Sequence, residues 1–295
     1  MSAERRPRDN RDRLVRVAVA GRVAPARLHA EVPPIDREGR WCVLPGTGGI
    51  TRGVHAGDPV DGRAADHLMV GASMEDAETT PRVPGSFHLL ACLGNRVRDG
   101  SGAMLGVVAG KRGGLAPGFF PPNLVSVEAP DDRLASMLPG DRVVVEATGR
   151  GLAFADLPEV TLCNLGPRLL DALPLGLARG RIVASVRAIV PSIAAGPGLG
   201  QDVWVGDLEI GDPTAIEDAL RFGDLVAFTD LDGRVSRFHR PDHVAVGLVA
   251  HGPSPRPGHG VGITILLSGP TASLAVRLDA GATVGPLLRT WGAER

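Results

Sequence analysis

Short apolar runs rich in β-branched residues recur along the chain, and each has about the length of a β-strand. Turn-forming residues bound most of the runs, and several alternate apolar and polar positions, which is typical of a half-buried strand. The runs are LVRVAVAG at 14–21, AMLGVVAG at 103–110, DRVVVEATG at 141–149, GRIVASVRAIV at 180–190, GDLVAFTD at 223–230, VAVGLVAHG at 244–252 and GVGITILLSG at 260–269. This pattern predicts a mainly β protein.

Three short stretches have the apolar spacing of a helix instead. They are SFHLLACLG at 86–94, PRLLDAL at 167–173 and DPTAIEDALRF at 212–222. The last stretch begins with Asp212 as a cap and Pro213 in the first turn, and Gly223 ends it. Because all three are short, we expect them to plug or brace a sheet.

Glycine and proline separate these elements. The 295 residues include 40 glycines and 25 prolines, without a collagen-like period. A Gly-Asp turn precedes a strand in each half of the chain, in PGDRVVVEA at 139–147 and FGDLVAFTD at 222–230. The length exceeds what one core usually supports. We therefore predict two barrel-like β lobes with Gly/Pro-rich loops, over residues 14–176 and 177–295, after a disordered arm over residues 1–13.

The charge balance argues against nucleic acid as a partner. The chain has 32 basic and 33 acidic side chains, a formal net charge of −1, 3% aromatic residues and no tyrosine. Such a composition provides neither a basic face for phosphates nor a stacking platform for bases. We expect a small-molecule ligand instead.

Cysteine usage and the N-terminus predict the compartment. Cys42, Cys92 and Cys163 are odd in number and widely spaced, which indicates neither a disulfide framework nor a thiolate metal site. The charged N-terminus MSAERRPRDNRDR precedes no apolar segment, and no apolar run approaches the ~18 residues of a membrane span. We expect a soluble cytoplasmic protein without membrane association.

Two glycine-rich stretches invite comparison with phosphate-binding loops. PGTGGIT at 45–51 follows a predicted strand, but the residues after it cannot form the helix that a phosphate loop requires. Its residues Gly46, Thr47, Gly48 and Gly49 either form a demanding turn or offer backbone N–H groups to a ligand.

The second stretch is GVVAGKRGG at 106–114. The spacing between its first two glycines is one residue too short for a P-loop, and Arg112 occupies the position of the metal-binding hydroxyl. The stretch resembles the strand and basic turn of KOW-type barrels, with Lys111 and Arg112 at the tip, so contact with RNA is an alternative. Lys111 is also a candidate ligand-binding residue.

Histidines and carboxylates in separate loops indicate a candidate metal site. The candidates are Asp66 and His67 in ADHLMVG, Asp230 and Asp232 in TDLDG, and His251 and His259 in AHGPSPRPGHGVG. None has a diagnostic spacing, and the alternative is that they cap turns or hydrogen-bond within loops. A real site requires that residues 66–67 and 251–259 converge on one point.

Cysteine chemistry is a further alternative. If residues 86–94 are helical, His88 and Cys92 share a face, and the imidazole can lower the pKa of the thiol. The surrounding leucines favour a buried, unreactive Cys92 instead.

A succession of motifs spans almost the whole chain after the arm: LPGTGGIT, GDPV, ADHLMVG, CLGN, GVVAGKRGG, PGDRVVVEATGRGL, PGLGQD, FGDLVAF, GLVAHG and GHGVGITILLSG. In this succession the chain resembles the bacterial and archaeal family of domain of unknown function 4438. The resemblance implies a β-rich protein with an N-terminal and a C-terminal part and no assigned reaction, so it identifies no catalytic residue. FTDLDGRVSRFHRPD departs from the family pattern, which weakens a metal role for Asp230 and Asp232.

These observations lead to one main hypothesis and two alternatives. The main hypothesis is a metal-assisted or acid/base hydrolase for a small polar metabolite, with Asp66, His67 and His259 as catalytic residues. A divalent metal is bound by His67, His251 and His259 in this hypothesis, and Gly46, Thr47, Gly48, Gly49 and Lys111 contact the ligand. The first alternative is a non-catalytic small-ligand-binding or scaffold protein, expected to form a homo-oligomer. The second is the RNA-contacting barrel.

Overall fold

The computed structural model describes residues 6–27, 35–77, 85–113, 123–196, 203–204, 206–212, 215–216, 219–235, 238–256 and 258–294. Six strands of the N-terminal half form a closed barrel in the order β1-β2-β5-β4-β3-β6. They are β1 (Val17–Val23), β2 (Ala72–Asp76), β3 (Arg96–Asp99), β4 (Met104–Arg112), β5 (Leu124–Glu128) and β6 (Arg142–Ala147).

Side-chain alternation explains the inside of this barrel. In β6 the residues Val143, Val145 and Ala147 are buried, and the residues between them are more exposed. In β4 and β5 both faces are buried, because the C-terminal half covers the outside of the barrel there. At the contact, a Cβ on Gly110 would lie 2.7 Å from the Cβ of Ala250, so glycine allows the two halves to touch.

The C-terminal half contributes two further sheets. The larger follows the order β10-β12-β13-β14-β11, and β7 also pairs with β14; the smaller has the order β15-β9-β8. The strands are β7 (Thr161–Leu162), β8 (Leu175–Ala178), β9 (Arg181–Val186), β10 (Ala188–Pro191), β11 (Leu208–Glu209), β12 (Leu225–Asp232), β13 (Phe238–His251), β14 (Gly262–Pro270) and β15 (Leu274–Leu278). The prediction of a mainly β protein is confirmed.

Among the described residues, four short α-helices accompany the sheets: α1 (Ser86–Leu90), α2 (Asp131–Ala135), α3 (Pro167–Ala172) and α4 (Gly285–Gly292). The first and third lie within predicted helices. The predicted helix at 212–222 falls partly outside the described residues, and its described residues belong to no α-helix. No helix among the described residues is long and apolar enough to cross a membrane.

The boundary at residue 176 and the arm stay predictions, and the structure describes the residues around both. Strand β8 spans the boundary and pairs with β9, while β7 joins a sheet of the C-terminal half. Within the predicted arm, residues 6–13 are described, and Arg8 and Arg11 form ion pairs with Asp156 and Asp171 at 2.6 and 2.7 Å. Residues 1–5 lie outside the described residues.

Candidate metal centre

The loop before β2 carries His67 in an unusual backbone conformation. Its φ is 52°, in the left-handed region that a residue with a side chain rarely adopts. The N–H of His67 donates to the carbonyl of Pro253 at 3.2 Å, and Met69 forms an antiparallel bridge with His251. These two contacts place the His67 loop alongside the end of β13.

The glycine-rich run at 45–49 supports this loop from the other side. The N–H of Asp66 donates to Pro45, and the hydroxyl of Thr47 donates to the Asp66 carbonyl at 3.3 Å. A Cβ on Gly46 would lie 2.5 Å from the same carbonyl, so only glycine allows the approach. Gly48 and Gly49, the other two glycines predicted to contact a ligand, pack against the backbone of residues 25 and 26.

His251 is the last residue of β13, and its position depends on a glycine in the neighbouring strand. Its partner across the ladder is Gly262 of β14, where a Cβ would lie 1.8 Å from Nε2 of His251. The absence of a side chain at residue 262 is therefore what gives the buried imidazole its space.

His259 lies in the loop between β13 and β14 and is held next to β11 by another glycine. A Cβ on Gly260 would lie 1.7 Å from the carbonyl oxygen of Ile210, and the N–H of Ile210 donates to Val261 at 2.9 Å. With 19% of its side chain exposed, His259 is the most exposed of the three histidines.

Strand β11 supplies two carboxylates that the sequence analysis did not identify. Asp207 directly precedes the strand and Glu209 ends it, so alternation directs both side chains to one face. Both side chains are nearly buried. The signal in the sequence was the motif GDLEI, in which acidic residues alternate with apolar ones between two glycines.

The three histidines and the two carboxylates lie close together between the barrel and the large sheet. His67 Nε2 lies 3.3 Å from Glu209 Oε1, and His259 Nδ1 lies 3.0 Å from Glu209 Oε2. His251 Nε2 lies 2.8 Å from Asp207 Oδ2. The ring centroids of His251 and His259 are 5.1 and 5.5 Å from that of His67. Residues 66–67 therefore lie beside residues 251–259, and the binding of a metal by these residues stays a prediction.

Hydrogen bonds outside this group of side chains orient two of the rings. Nδ1 of His67 lies 2.6 Å from Asp66 Oδ1, and Nδ1 of His251 lies 2.8 Å from the carbonyl of Gly252. Because a carbonyl oxygen only accepts, Nδ1 of His251 carries a proton. Asp66 has the same effect on His67, so both rings direct Nε2 towards the carboxylates. Ligating histidines in metalloproteins are oriented in this way.

The protonation states fit metal binding. Burial, together with the positive charge of Arg112, holds the pKa of His67 well below its ordinary value, so the ring is neutral at pH 7. Burial opposes ionisation of Asp207, but His251 and Arg112 lower its pKa overall. Burial also opposes ionisation of Glu209, yet contacts with His259 and His67 lower its pKa to about 2. Neutral imidazoles and ionised carboxylates are the donors that divalent metals prefer.

Lys111 and Arg112 are buried at the end of β4, and the expectation that they form an exposed basic tip is wrong. The C-terminal sheet covers this end of the barrel: the N–H of Lys111 donates to Thr264 of β14 at 3.0 Å. The ammonium of Lys111 donates to Asn164 Oδ1 at 3.0 Å. The guanidinium of Arg112 interacts electrostatically with Asp207, Glu209 and Asp66. Because both side chains are buried, this location does not support contact of Lys111 and Arg112 with RNA.

The other candidate sites have ordinary structural partners. Asp232 pairs with Arg234 at 2.6 Å and with Arg240 at 3.0 Å, away from the histidine cluster. Helix α1 ends before Cys92, and burial raises the pKa of that thiol, which disfavours a nucleophilic thiolate.

Comparison with known proteins adds a family but no activity. The family model described as domain of unknown function (DUF4438), N-terminal, matches residues 34–171, and its C-terminal counterpart matches residues 172–288. A solved structure described as the crystal structure of TM1086 superimposes with a TM-score of 0.85 at 31% identity, covering 95% of this chain and 98% of that one. No curated protein matches the chain.

Proposed function

The chain belongs to the family of domain of unknown function 4438, whose description gives no activity. We therefore propose a function from the chemistry of the histidine cluster. The protein is a metal-dependent hydrolase that acts on a small polar substrate. His67, His251, His259, Asp207 and Glu209 provide the metal ligands, and Asp66 is a positioning residue that acts through His67.

One observation carries this proposal: imidazole nitrogens and carboxylate oxygens face each other at 2.8 to 3.3 Å inside the protein. Bonds of about 2.0–2.2 Å from nitrogen and oxygen to one metal, at angles between 90° and the tetrahedral value, separate neighbouring donors by roughly 2.8–3.5 Å. The observed separations fall in that range. Nδ1 of His67 faces Asp66 while Nε2 faces Glu209, and a cation between Nε2 and that carboxylate would replace the contact between them.

The charges support the same conclusion. Among the described residues of the cluster, the carboxylates of Asp66, Asp207 and Glu209 face the guanidinium of Arg112, which leaves two formal negative charges. Uncompensated buried charge is costly. A divalent cation neutralises it.

A divalent ion held by these residues would activate water as a nucleophile at neutral pH and polarise the bond to be cleaved. The chain's own groups hold and orient the reactants. In the overall hydrolysis, the oxygen of water would end on the carbon or phosphorus of the substrate with one of its protons. The bond to the leaving group would break, and the other proton of water would end on the leaving group. His259 is the most exposed ligand, so we expect the substrate to approach from its side.

We also propose that the protein is cytoplasmic. Cys42, Cys92 and Cys163 are free thiols, which supports a reducing, cytoplasmic environment. The homo-oligomer of the sequence analysis stays a prediction.

Elemental analysis of tag-free, full-length protein after mild dialysis tests the metal. We expect zinc, manganese or iron near stoichiometry, or uptake on titration of the dialysed protein, with loss in His67→Ala and His259→Ala. The matched control is His239→Ala, because His239 belongs to β13 like His251 but is exposed and hydrogen-bonded to Ser192. Folded protein that neither contains nor takes up these metals contradicts the proposal.

A hydrolysis screen tests the reaction. Amides, lactones and phosphoesters are offered to the metal-loaded protein, and activity should disappear with a chelator and return with added metal. A metal-loaded protein that cleaves none of the three classes favours the non-catalytic ligand-binding alternative.

A further inference from the structure

We infer that the centre holds two divalent ions that share Glu209, an inference that rests on the proposed metal site and extends it. The ligand side chains form two groups of three rather than one group of five. His67, Glu209 and His259 make up the first, and Asp207, Glu209 and His251 make up the second. Within each group the ligand atoms lie within 4.8 Å of one another.

Glu209 is the only residue in both groups. A carboxylate has two oxygens, and in two-metal sites such a group joins ions about 3.5–4 Å apart. Glu209 reaches this position from the end of β11, whose pairing with β14 aligns it with Gly262. Its neighbour across the cluster, His251, pairs with the same glycine from the other side of β14.

Each group has its own structural support. The first depends on the left-handed turn at His67 with Asp66, and on the loop that carries His259. The second depends on the end of β13, on the hydrogen bond from His251 to Gly252, and on Asp207, which accepts from the N–H of Gly113 at 3.0 Å. Because the supports differ, substitutions should remove one ion without removing the other.

The charge count then indicates the substrate class. Two divalent ions would bring four positive charges against the two formal negative charges of the cluster, so the loaded centre would be positive even with one hydroxide bound. A positive, largely buried centre selects an anionic group. We therefore expect the hydrolysed substrate to be a phosphoester or to carry a carboxylate.

Manganese titration with electron paramagnetic resonance tests the two-ion centre without depending on activity. Metal-depleted wild-type protein should bind two equivalents of Mn²⁺ and give the broad spectrum of an exchange-coupled pair. Asp207→Asn and His67→Gln should each bind one equivalent and give the six-line spectrum of an isolated ion. Glu209→Gln should lose the coupling, and His239→Ala should behave as wild type. Circular dichroism checks that each variant is folded.

The outcomes separate this inference from the proposed function. Wild-type protein that saturates at one equivalent with a six-line spectrum overturns the two-ion centre, even if all variants fail to fold. Hydrolysis by that one-ion protein would leave the proposed function standing. Two coupled ions without hydrolysis of any substrate support the centre and contradict the hydrolase. Protein that binds no Mn²⁺, Zn²⁺ or Fe²⁺ overturns both. Inorganic phosphate should inhibit a two-ion hydrolase, and indifference to phosphate contradicts the anionic substrate.

Discussion

Gly262→Ala is the substitution that tests the centre most directly, because it changes no ligand. The new Cβ would lie 1.8 Å from Nε2, 2.1 Å from Cδ2 and 2.4 Å from Cε1 of His251. An ordinary contact is about 3.4 Å or more, so the imidazole must move by more than 1 Å. Residue 262 is in a strand without positive φ, and alanine therefore adds no backbone strain of its own.

The expected cost in stability follows from what the ring loses. Forcing a group into a packed interior costs about 1–3 kcal/mol. His251 also loses its contacts with Gly252 and Asp207, each worth about 0.5–1.5 kcal/mol. Alanine recovers about 0.4–1 kcal/mol by restricting the unfolded chain. The sum is a destabilisation of roughly 1–5.5 kcal/mol, and its midpoint of about 3 kcal/mol lowers the Tm of a chain of 295 residues by about 5 °C.

Metal binding should respond more sharply than stability. Ligation tolerates errors of only about 0.2 Å in bond length, so a ring displaced by more than 1 Å no longer binds. Calorimetry of the metal-free protein measures the change in Tm. Elemental analysis measures the loss of bound metal separately. Gly100→Ala is the matched control, because its Cβ would meet nothing closer than 3.5 Å. A Gly262→Ala protein with wild-type metal content and wild-type Tm would refute the role assigned to His251.

Three further predictions concern other parts of the molecule. Asp66→Asn should weaken metal affinity by about 10–100-fold, measured by chelator competition, because the carboxylate that contacts Nδ1 of His67 loses its charge. Unchanged affinity contradicts a positioning role. Arg133→Ala should increase hydrogen exchange in α4 and lower the free energy of unfolding by about 2 kcal/mol. The reason is that Arg133 donates to four carbonyls, three of them in residues 292–294. Unchanged exchange in α4 would contradict the role of Arg133 in holding the end of this helix. Asp232→Asn should cost about 1–2 kcal/mol at pH 7, because the two adjacent arginines, outweighing burial, lower the pKa of Asp232. The stability that ionised Asp232 contributes is complete above the unfolded pKa near 4 and is lost as pH falls towards the lower folded pKa. The free energies of unfolding of variant and wild type, measured by denaturation, should therefore approach each other in acid. A difference between them that does not depend on pH would contradict the assignment.

Local patterning predicted eight of the fifteen strands in the described part of the chain, and β2, β3, β5, β7, β8, β11 and β15 lie outside the predicted runs. DRVVVEATG became β6 because its alternation fits one buried and one exposed face, and glycine or aspartate ends most of the runs. The same reasoning did not identify α2 and α4, which are short and lack a long apolar period, and it gave β13 only its second half. The first residues of β13 are exposed and polar, so only pairing with β12 makes them a strand.

The candidate site was predicted in part. Asp66, His67, His251 and His259 were selected for their chemistry and for an expected convergence, and they do lie together. Asp207 and Glu209 were not selected, because acidic residues on a two-residue strand resemble an ordinary exposed edge until the rest of the fold covers them. Whether the site binds metal stays a prediction.

The sequence by itself therefore determined the fold class and the residues capable of metal chemistry, because strand alternation and turn formation depend on neighbours along the chain. The tertiary structure alone decided which of those residues meet. Lys111 and Arg112 look like an exposed basic turn by local pattern, yet the C-terminal sheet buries them beside the cluster. His67 and His251 are far apart in sequence and converge because the barrel packs against that sheet, with Gly262 providing the space. Burial and convergence depend on contacts between distant segments, which no local pattern contains.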